Sequence, residues 1–476
     1  MDITNKLWGM CHTLRHDGID YGDYIEQLTY LLFLKMADER GVEIKKEYNW
    51  QSVINLSGTE LLDHYTKILQ KLRDEKGILG EIFIQAIPRF SNPVNLKKVL
   101  NMIDEIEWTS LEVDVKGEAF EGLLEKAASE GKKGAGQYFT PRPLIRTIVR
   151  VMQPDPLIAK SFTISDPACG TAGFLMVAYE WLMEKYKDSI DKRQWPRVKK
   201  ETYHGQELVA RPRRLALMNM FLHGVEPQIV LGDSIYEPDS GLRFDCILTN
   251  PPFGTKGANQ VPTRDDFTVA ASNKQLNFIQ HVVTILKPGG RAAMVLPDNV
   301  LFADQAGDVI KNLMEDCNLH TLLRLPNGTF TPYSQGVKAN VLFFQKGPKT
   351  EEVWIYDNRT NIPGVTKKDR PLTESMFEDF IACYGNDPDG RAKRQATDET
   401  GRFRSFAAKE ISARNFNLDI TWLKDESLSN NDDLPEPELL ASESITELSA
   451  CIDELQEILD LLENNDVILS GVEGNE

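Results

Sequence analysis

After Lys424 the chain contains no lysine or arginine, while the same stretch holds 16 aspartates and glutamates. The formal net charge of −18 therefore belongs to a tail, because residues 1–424 carry 54 basic against 56 acidic side chains. A body this close to neutral is not basic enough to bind nucleic acid tightly by itself, so a role on DNA or RNA calls for a partner. Local basic stretches remain, chiefly Lys192 to Arg214 with eight lysines and arginines, and these are expected to touch phosphates. The six cysteines (Cys11, Cys169, Cys246, Cys317, Cys383, Cys451) are scattered with no CxxC or Cys/His cluster, which points to neither a disulfide framework nor a structural metal. No apolar run is long enough to span a bilayer, and the opening MDITNKLWGM lacks a signal-peptide pattern, so a cytoplasmic protein without a membrane role is expected.

At 476 residues the chain is too long for one core. Residues 1–130 read as an α-helical domain: Tyr24, Ile25, Leu28, Leu31, Leu32 and Lys35 keep helical spacing, as do Leu61, Leu62, Ile68, Leu69 and Leu72. Residues 131–424 alternate short apolar runs with helical patterns, which predicts an α/β domain with a seven-stranded, mostly parallel, Rossmann-like sheet. Its last two strands, Leu319 to Leu325 and Asn340 to Phe344, look antiparallel. Residues 425–476 are an acidic linker followed by a helix in which Ile445, Leu448, Ile452, Leu455, Leu459 and Leu462 recur at heptad spacing. That tail suits packing against another helix better than lying on DNA.

The chemistry concentrates at the predicted carboxyl ends of strands, where open α/β sheets bind ligands. A strand over Phe244 to Leu248 stops at Asn250-Pro251-Pro252-Phe253. Prolines there donate no N–H. The set offers what the exocyclic amino group of a nucleobase needs: the Asn250 side-chain oxygen and the Pro251 carbonyl to accept its two hydrogens, and the Phe253 ring to stack on the base. Accepting both hydrogens draws the nitrogen lone pair out of conjugation and makes the amine nucleophilic. The bland alternative is an ordinary strand-to-loop turn opened by Asn-Pro. Upstream, a strand over Ser161 to Ser165 leads into Asp166-Pro167-Ala168-Cys169-Gly170-Thr171-Ala172-Gly173-Phe174 and a helix, a nucleotide-binding beginning that is weak alone. A second strand ends at Glu207, placed to hold ribose hydroxyls, and a third, Gln228 to Leu231, ends at Gly232-Asp233-Ser234. Four consecutive strands ending in polar side chains make one crevice. Before them, Gly136-Gln137-Tyr138-Phe139-Thr140-Pro141-Arg142 puts two aromatics ahead of a helix that Thr140 should cap, with Pro141 as its first residue. In the later loop Leu325 to Tyr333, Phe330 or Tyr333 either closes over an extruded base or simply packs the loop.

These ordered motifs resemble the amino-methylating DNA methyltransferases of the gamma arrangement, and more narrowly the M subunit of type I restriction-modification systems. Asp20-Tyr21-Gly22-Asp23-Tyr24 leading to Tyr30 through Lys35 is similar to that subunit's helical amino-terminal domain, and the likeness covers roughly residues 5–420. The resemblance implies the S-adenosylmethionine-dependent methyltransferase fold, S-adenosylmethionine as donor, and adenine in double-stranded DNA as acceptor. It implies a separate specificity subunit, usually joined by two M subunits, and sometimes a restriction subunit. Asn250, Pro251, Pro252 and Phe253 are then the catalytic residues. Gln137, Tyr138, Phe139, Thr140, Pro141, Arg142, Asp166, Gly170, Thr171, Ala172, Gly173, Glu207 and Asp233 surround the cofactor. Ala172 departs from the glycine of many relatives, and its methyl is expected to crowd the methionine end slightly. No general base or metal is called for, since the proton can leave to water. Competing readings are methyl transfer to RNA or a protein glutamine, a hydride-transferring dinucleotide enzyme, and a non-catalytic scaffold that retains the pocket.

Overall fold

The computed structural model describes residues 6–7, 9–10, 21–108, 140–186, 189–253, 260–303, 305–331, 336–366, 369–397, 401–424 and several positions within 441–452. The chain forms two compact units, Met1–Glu237 with Phe244–Asn250, and Pro238–Arg243 with Pro251–Glu476.

After helical residues at 6–7 and 9–10, the described part of the first unit before 140 has no strand and carries α1 (Tyr21–Glu39), α2 (Trp50–Ile54), α3 (Gly58–Leu72), α4 (Ile78–Phe83) and α5 (Pro93–Asp104). In α3 the buried residues Leu61, Tyr65, Ile68, Leu69 and Leu72 fall on one stripe, so this face is core. Helix α5 starts where sequence chemistry dictates: the Asn92 side chain accepts from the Val94 N–H and Pro93 occupies the first turn.

Helix α6 (Arg142–Met152) then leads to strand β1 (Ile164–Asp166), helix α7 (Gly173–Tyr186), helix α8 (Trp195–Glu201), β2 (Tyr203–Glu207), helix α9 (Ala210–Leu222), β3 (Gln228–Leu231) and β4 (Phe244–Thr249). The strands run β3-β2-β1-β4, all parallel. Strand β1 is shorter and later than the Ser161 to Ser165 run suggested. Two expectations about helices are corrected here. Helix α6 is preceded by Pro141 as its cap, without a side-chain cap bond, so Thr140 is not the capping residue. The basic stretch is also not a phosphate surface at its carboxyl end. Arg213 and Arg214 on α9 are buried, and they pair with Glu81 on α4 and Glu26 on α1; Arg211 pairs with Asp23. Arg214 further donates to the carbonyls of Ile82 and Ile84, at 2.7 and 2.6 Å. These guanidinium groups fasten the amino-terminal helices to the parallel strands' own helix layer, which is why they face inward.

The second unit contains helix α10 (Lys274–Ile285), β5 (Leu286–Pro297), helix α11 (Ala306–Asp316), β6 (Cys317–Arg324), β7 (Ala339–Lys346), β8 (Glu352–Asp357), helix α12 (Glu378–Tyr384), β9 (Phe403–Ala407) and helix α13 (Ala408–Ser412). Strand β7 lies between β5 and β6 and is antiparallel to both, as expected for β6 and β7. Two strands beyond the seven anticipated, β8 parallel to β6 and β9 antiparallel to β8, complete this part of the sheet. Two arginines near these strands also turn inward: Arg394 donates to the Thr321 hydroxyl at 2.8 Å and Arg402 to the Asp357 carbonyl at 3.0 Å. No described helix is long and apolar enough to cross a membrane.

Candidate active site

In the first unit, the carboxyl ends of β1, β2, β3 and β4 carry Asp166, Glu207, Asp233 and Asn250 as the sequence placed them. Each is held by a specific neighbour. Asp166 is buried; its Oδ1 accepts from the Thr249 hydroxyl at 2.7 Å and from the Ala168 N–H at 3.1 Å. Burial pushes its carboxyl up to about 7, against those two hydrogen bonds, and the nearby Glu207 charge adds to the rise. Glu207 accepts from the Gly170 N–H at 3.0 Å through Oε2 and from the Val209 N–H at 2.9 Å through Oε1. Burial raises its carboxyl as well, opposed by those backbone bonds. The bonds described to these two buried carboxylates come from backbone N–H groups and one threonine. Such a pair favours a cation, because a positive ligand would offset the cost of burying both charges.

The turn between β1 and α7 is shaped by its backbone. Gly170 has φ +52° and Ala172 φ +65°, so both occupy the left-handed region that favours glycine. Ala172 is fully buried, and the departure at this position acts on the backbone conformation itself. Gly173 opens α7 where a Cβ would stand 3.0 Å from Ile145 Cδ1 of α6, so the two helices meet closely there. The Thr171 carbonyl accepts from Asn219 Nδ2 of α9 at 3.2 Å, which fixes the turn from below. Asp233 is half-buried and uses Oδ1 to accept from the N–H groups of Ile235 and Tyr236, at 2.8 and 3.0 Å.

Asn250 is the informative residue. Its Nδ2 donates to the Thr140 hydroxyl at 2.9 Å, while its Oδ1 is buried and has no hydrogen-bond partner among the described residues. The amide is thus oriented by one bond and presents a desolvated acceptor oxygen, an arrangement that costs free energy unless a ligand donor completes it. Thr140, expected among the cofactor residues, is here the orienting partner of Asn250. Pro141 is buried, and Arg142 pairs with Glu180 of α7. Gln137, Tyr138 and Phe139 lie outside the described residues.

In the second unit, Pro252 and Phe253 are half-buried and Pro251 is buried. The Pro252 carbonyl accepts from Gln275 Nε2 of α10 at 2.8 Å. Phe253 meets Phe330 edge-on, with ring centroids 5.1 Å apart, and Phe330 is buried. Phe330 therefore packs its loop, as one of the two readings had it; Tyr333 lies outside the described residues. Sequence reasoning missed Thr249, whose only signal was its place beside Asn250 at the strand end, and Gln275, which no pattern marked. No group of His, Cys, Asp and Glu able to hold a metal occurs among the described residues.

Residues 111–430 match the family model for N-6 DNA methylases and residues 3–43 that for the HsdM N-terminal domain. The chain is 39% identical to the Type I restriction enzyme StySPI methylase subunit of Salmonella potsdam, covering 96% of this chain and 94% of that one. It is 38% identical, over the same shares, to the EcoKI methylase subunit of Escherichia coli K12. Among solved structures, the crystal structure of the EcoKI M protein aligns at 34% identity with a TM-score of 0.56, covering 97% of this chain and 96% of that one. A chain from a study of complex assembly and conformational transition in the type I R-M system aligns at 27% identity with a TM-score of 0.72, covering 97% and 98%.

Proposed function

Since the chain belongs to the N-6 DNA methylase family, as a methylase subunit of the type I restriction enzymes, we propose that Asn250, Pro251, Pro252 and Phe253 hold a flipped adenine for methylation. The subunit is an adenine-specific DNA methyltransferase of the S-adenosylmethionine-dependent fold, and it works with specificity and restriction subunits on DNA. In our reading two copies join one specificity subunit in the cytoplasm, where their DNA lies. Residues 1–130 serve as the helical domain, 131–424 as the methyltransferase domain and 425–476 as the assembly tail.

The observation that carries the site assignment is the buried, unpartnered Asn250 Oδ1. S-adenosylmethionine, when bound, supplies an electrophilic methyl on a sulfonium. Asn250 Oδ1 and the Pro251 carbonyl accept the two amino hydrogens of adenine, which localises the nitrogen lone pair for attack. Phe253 stacks on the base, backed by Phe330. Asp166 and Glu207 would hold the cationic donor with negative charge, Glu207 as the acceptor for its ribose hydroxyls. Asp233 would serve as the acceptor for its adenine amino group, and Gly170, Thr171, Ala172 and Gly173 would let the backbone approach it. Thr140, Pro141 and Arg142 would border that pocket, and Gln137, Tyr138 and Phe139 are assigned to the donor from the sequence motif alone. The released proton passes to water.

The test is Asn250→Ala in the full chain assembled with its specificity subunit. Losing a contact made mainly in the transition state lowers the rate by about a hundredfold or more. Donor affinity should stay within about twofold, because Asn250 touches the acceptor. A variant that methylates at more than about a tenth of the wild-type rate would remove Asn250 from this role.

A further inference from the structure

We propose that Gln275 is a positioning residue for methyl transfer: its side-chain amide clamps the Pro252 carbonyl and so reserves the Pro251 carbonyl for the substrate amino group. The inference rests on the reading of Asn250 to Phe253 given above and adds to it a residue outside that motif.

Three observations converge. Pro251 and Pro252 lack N–H groups, so the motif has carbonyls with no neighbouring donor of their own. One of the two is already taken, since Gln275 Nε2 donates to the Pro252 oxygen at 2.8 Å. Gln275 is 1% exposed, and its other polar atom, Oε1, has no hydrogen-bond partner among the described residues. A buried amide with half of its capacity unused is costly, and an apolar side chain at this position of α10 would avoid the cost. The fold keeps the amide where its one bond falls on the catalytic tetrapeptide.

The rest of α10 shows that this is an organised surface. Asn273 caps the helix by accepting from the N–H groups of Gln275 and Leu276, at 2.9 and 3.2 Å, which fixes the first turn. Asn277 Nδ2 donates to the Ala271 carbonyl at 2.7 Å. Gln280 both donates to and accepts from the Val269 backbone, each at 2.9 Å. Thr284 donates to Asp266 at 2.7 Å, and His281 meets Arg264 at 3.1 Å. One helix therefore grips the segment that follows the motif at several points, and Gln275 extends that grip to Pro252 itself. Anchored in this way, the Pro252–Phe253 peptide is held by one hydrogen bond, which restrains the Pro251 carbonyl before it and the Phe253 ring after it.

The experiment compares Gln275→Leu and Gln275→Glu with wild type and Asn250→Ala, each as the full chain assembled with its specificity subunit. Gln275→Leu removes the donor and is expected to lower kcat by about ten- to a hundredfold, the scale of a misplaced reacting group, with the donor dissociation constant unchanged. Gln275→Glu restores a donor only while its buried carboxyl is protonated, so its rate divided by the wild-type rate should rise as pH falls from about 8 to about 5.5. The ratio is divided by the folded fraction measured at each pH, because a merely structural role would raise it only as far as the fold itself is restored. A Gln275→Leu rate within about threefold of wild type, or a pH-independent Gln275→Glu ratio, overturns the inference. If Gln275→Leu does not fold, the Gln275→Glu ratio decides alone. An active Asn250→Ala would instead defeat the reading of the motif on which the inference rests.

Discussion

Replacing Asp166 by asparagine should move stability and donor binding in opposite directions. The folded state holds this carboxyl near 7, while an unfolded chain titrates it near its ordinary value of 3.8. Between those values the native protein binds more protons than the unfolded one, so this group makes stability fall as pH rises through the window and leaves the loss complete above it. A shift of about 3 units at about 1.4 kcal/mol per unit gives an upper bound of about 4 kcal/mol, and relaxation around a buried group makes about 2–4 kcal/mol the reasonable range. The amide oxygen of the asparagine would keep the hydrogen bonds from Thr249 and Ala168, because both fall on one oxygen of the carboxylate. Asp166→Asn should therefore unfold at higher urea than wild type at about pH 8 and at nearly the same urea at about pH 4. In the proposed donor pocket the same change removes a negative charge facing a cation, and calorimetry should show about tenfold weaker binding. A stability difference that does not change with pH, or a variant less stable at about pH 8, would refute the reasoning.

Arg214→Met should cost about 3 kcal/mol in urea unfolding, since it leaves Glu26 with the more distant Arg211, at 3.6 Å, and the Tyr30 hydroxyl. Adding Glu26→Gln should recover much of that loss, and a single variant costing less than about 1 kcal/mol would show that the pair is not buried in solution. Deleting residues 436–476 should leave a folded, donor-binding protein that no longer joins the specificity subunit, because Ile445, Leu448 and Ile452 are all more than half exposed on the described part of the tail. Size-exclusion chromatography of the truncated chain with that subunit is the measurement, and an intact, fully active complex would count against it.

Strand ends were legible in the sequence because each combined an apolar run with a stop and one polar residue, and β3 falls on the stretch read for it, Gln228 to Leu231. Periodicity also found the helices that bury one face, such as α3. It failed where a residue's partner is far away in the chain. Arg213 and Arg214 look like any basic surface until Glu81 and Glu26, more than 130 positions earlier, are brought against them. The Thr140 hydroxyl looked like a helix cap because the competing donor, Asn250 Nδ2, lies 110 residues further on. Strands β8 and β9 were obscured because Glu352 shortens the apolar run of β8 and Arg404 and Ser405 break up that of β9.

The long reach between Glu26 and Arg214 sets a clock during synthesis. The two are 188 positions apart, so at about 5–20 residues per second Glu26 leaves the ribosome roughly 10–40 s before its buried partner exists. Until then α1 and α4 lack the guanidinium groups that bind Glu26, Glu81 and the carbonyls of Ile82 and Ile84. These cross-links of the amino-terminal helices therefore wait for α9, and α9 emerges directly after Glu207. The helical layer and the Glu207 wall of the proposed cofactor pocket become lockable within the same few seconds of translation.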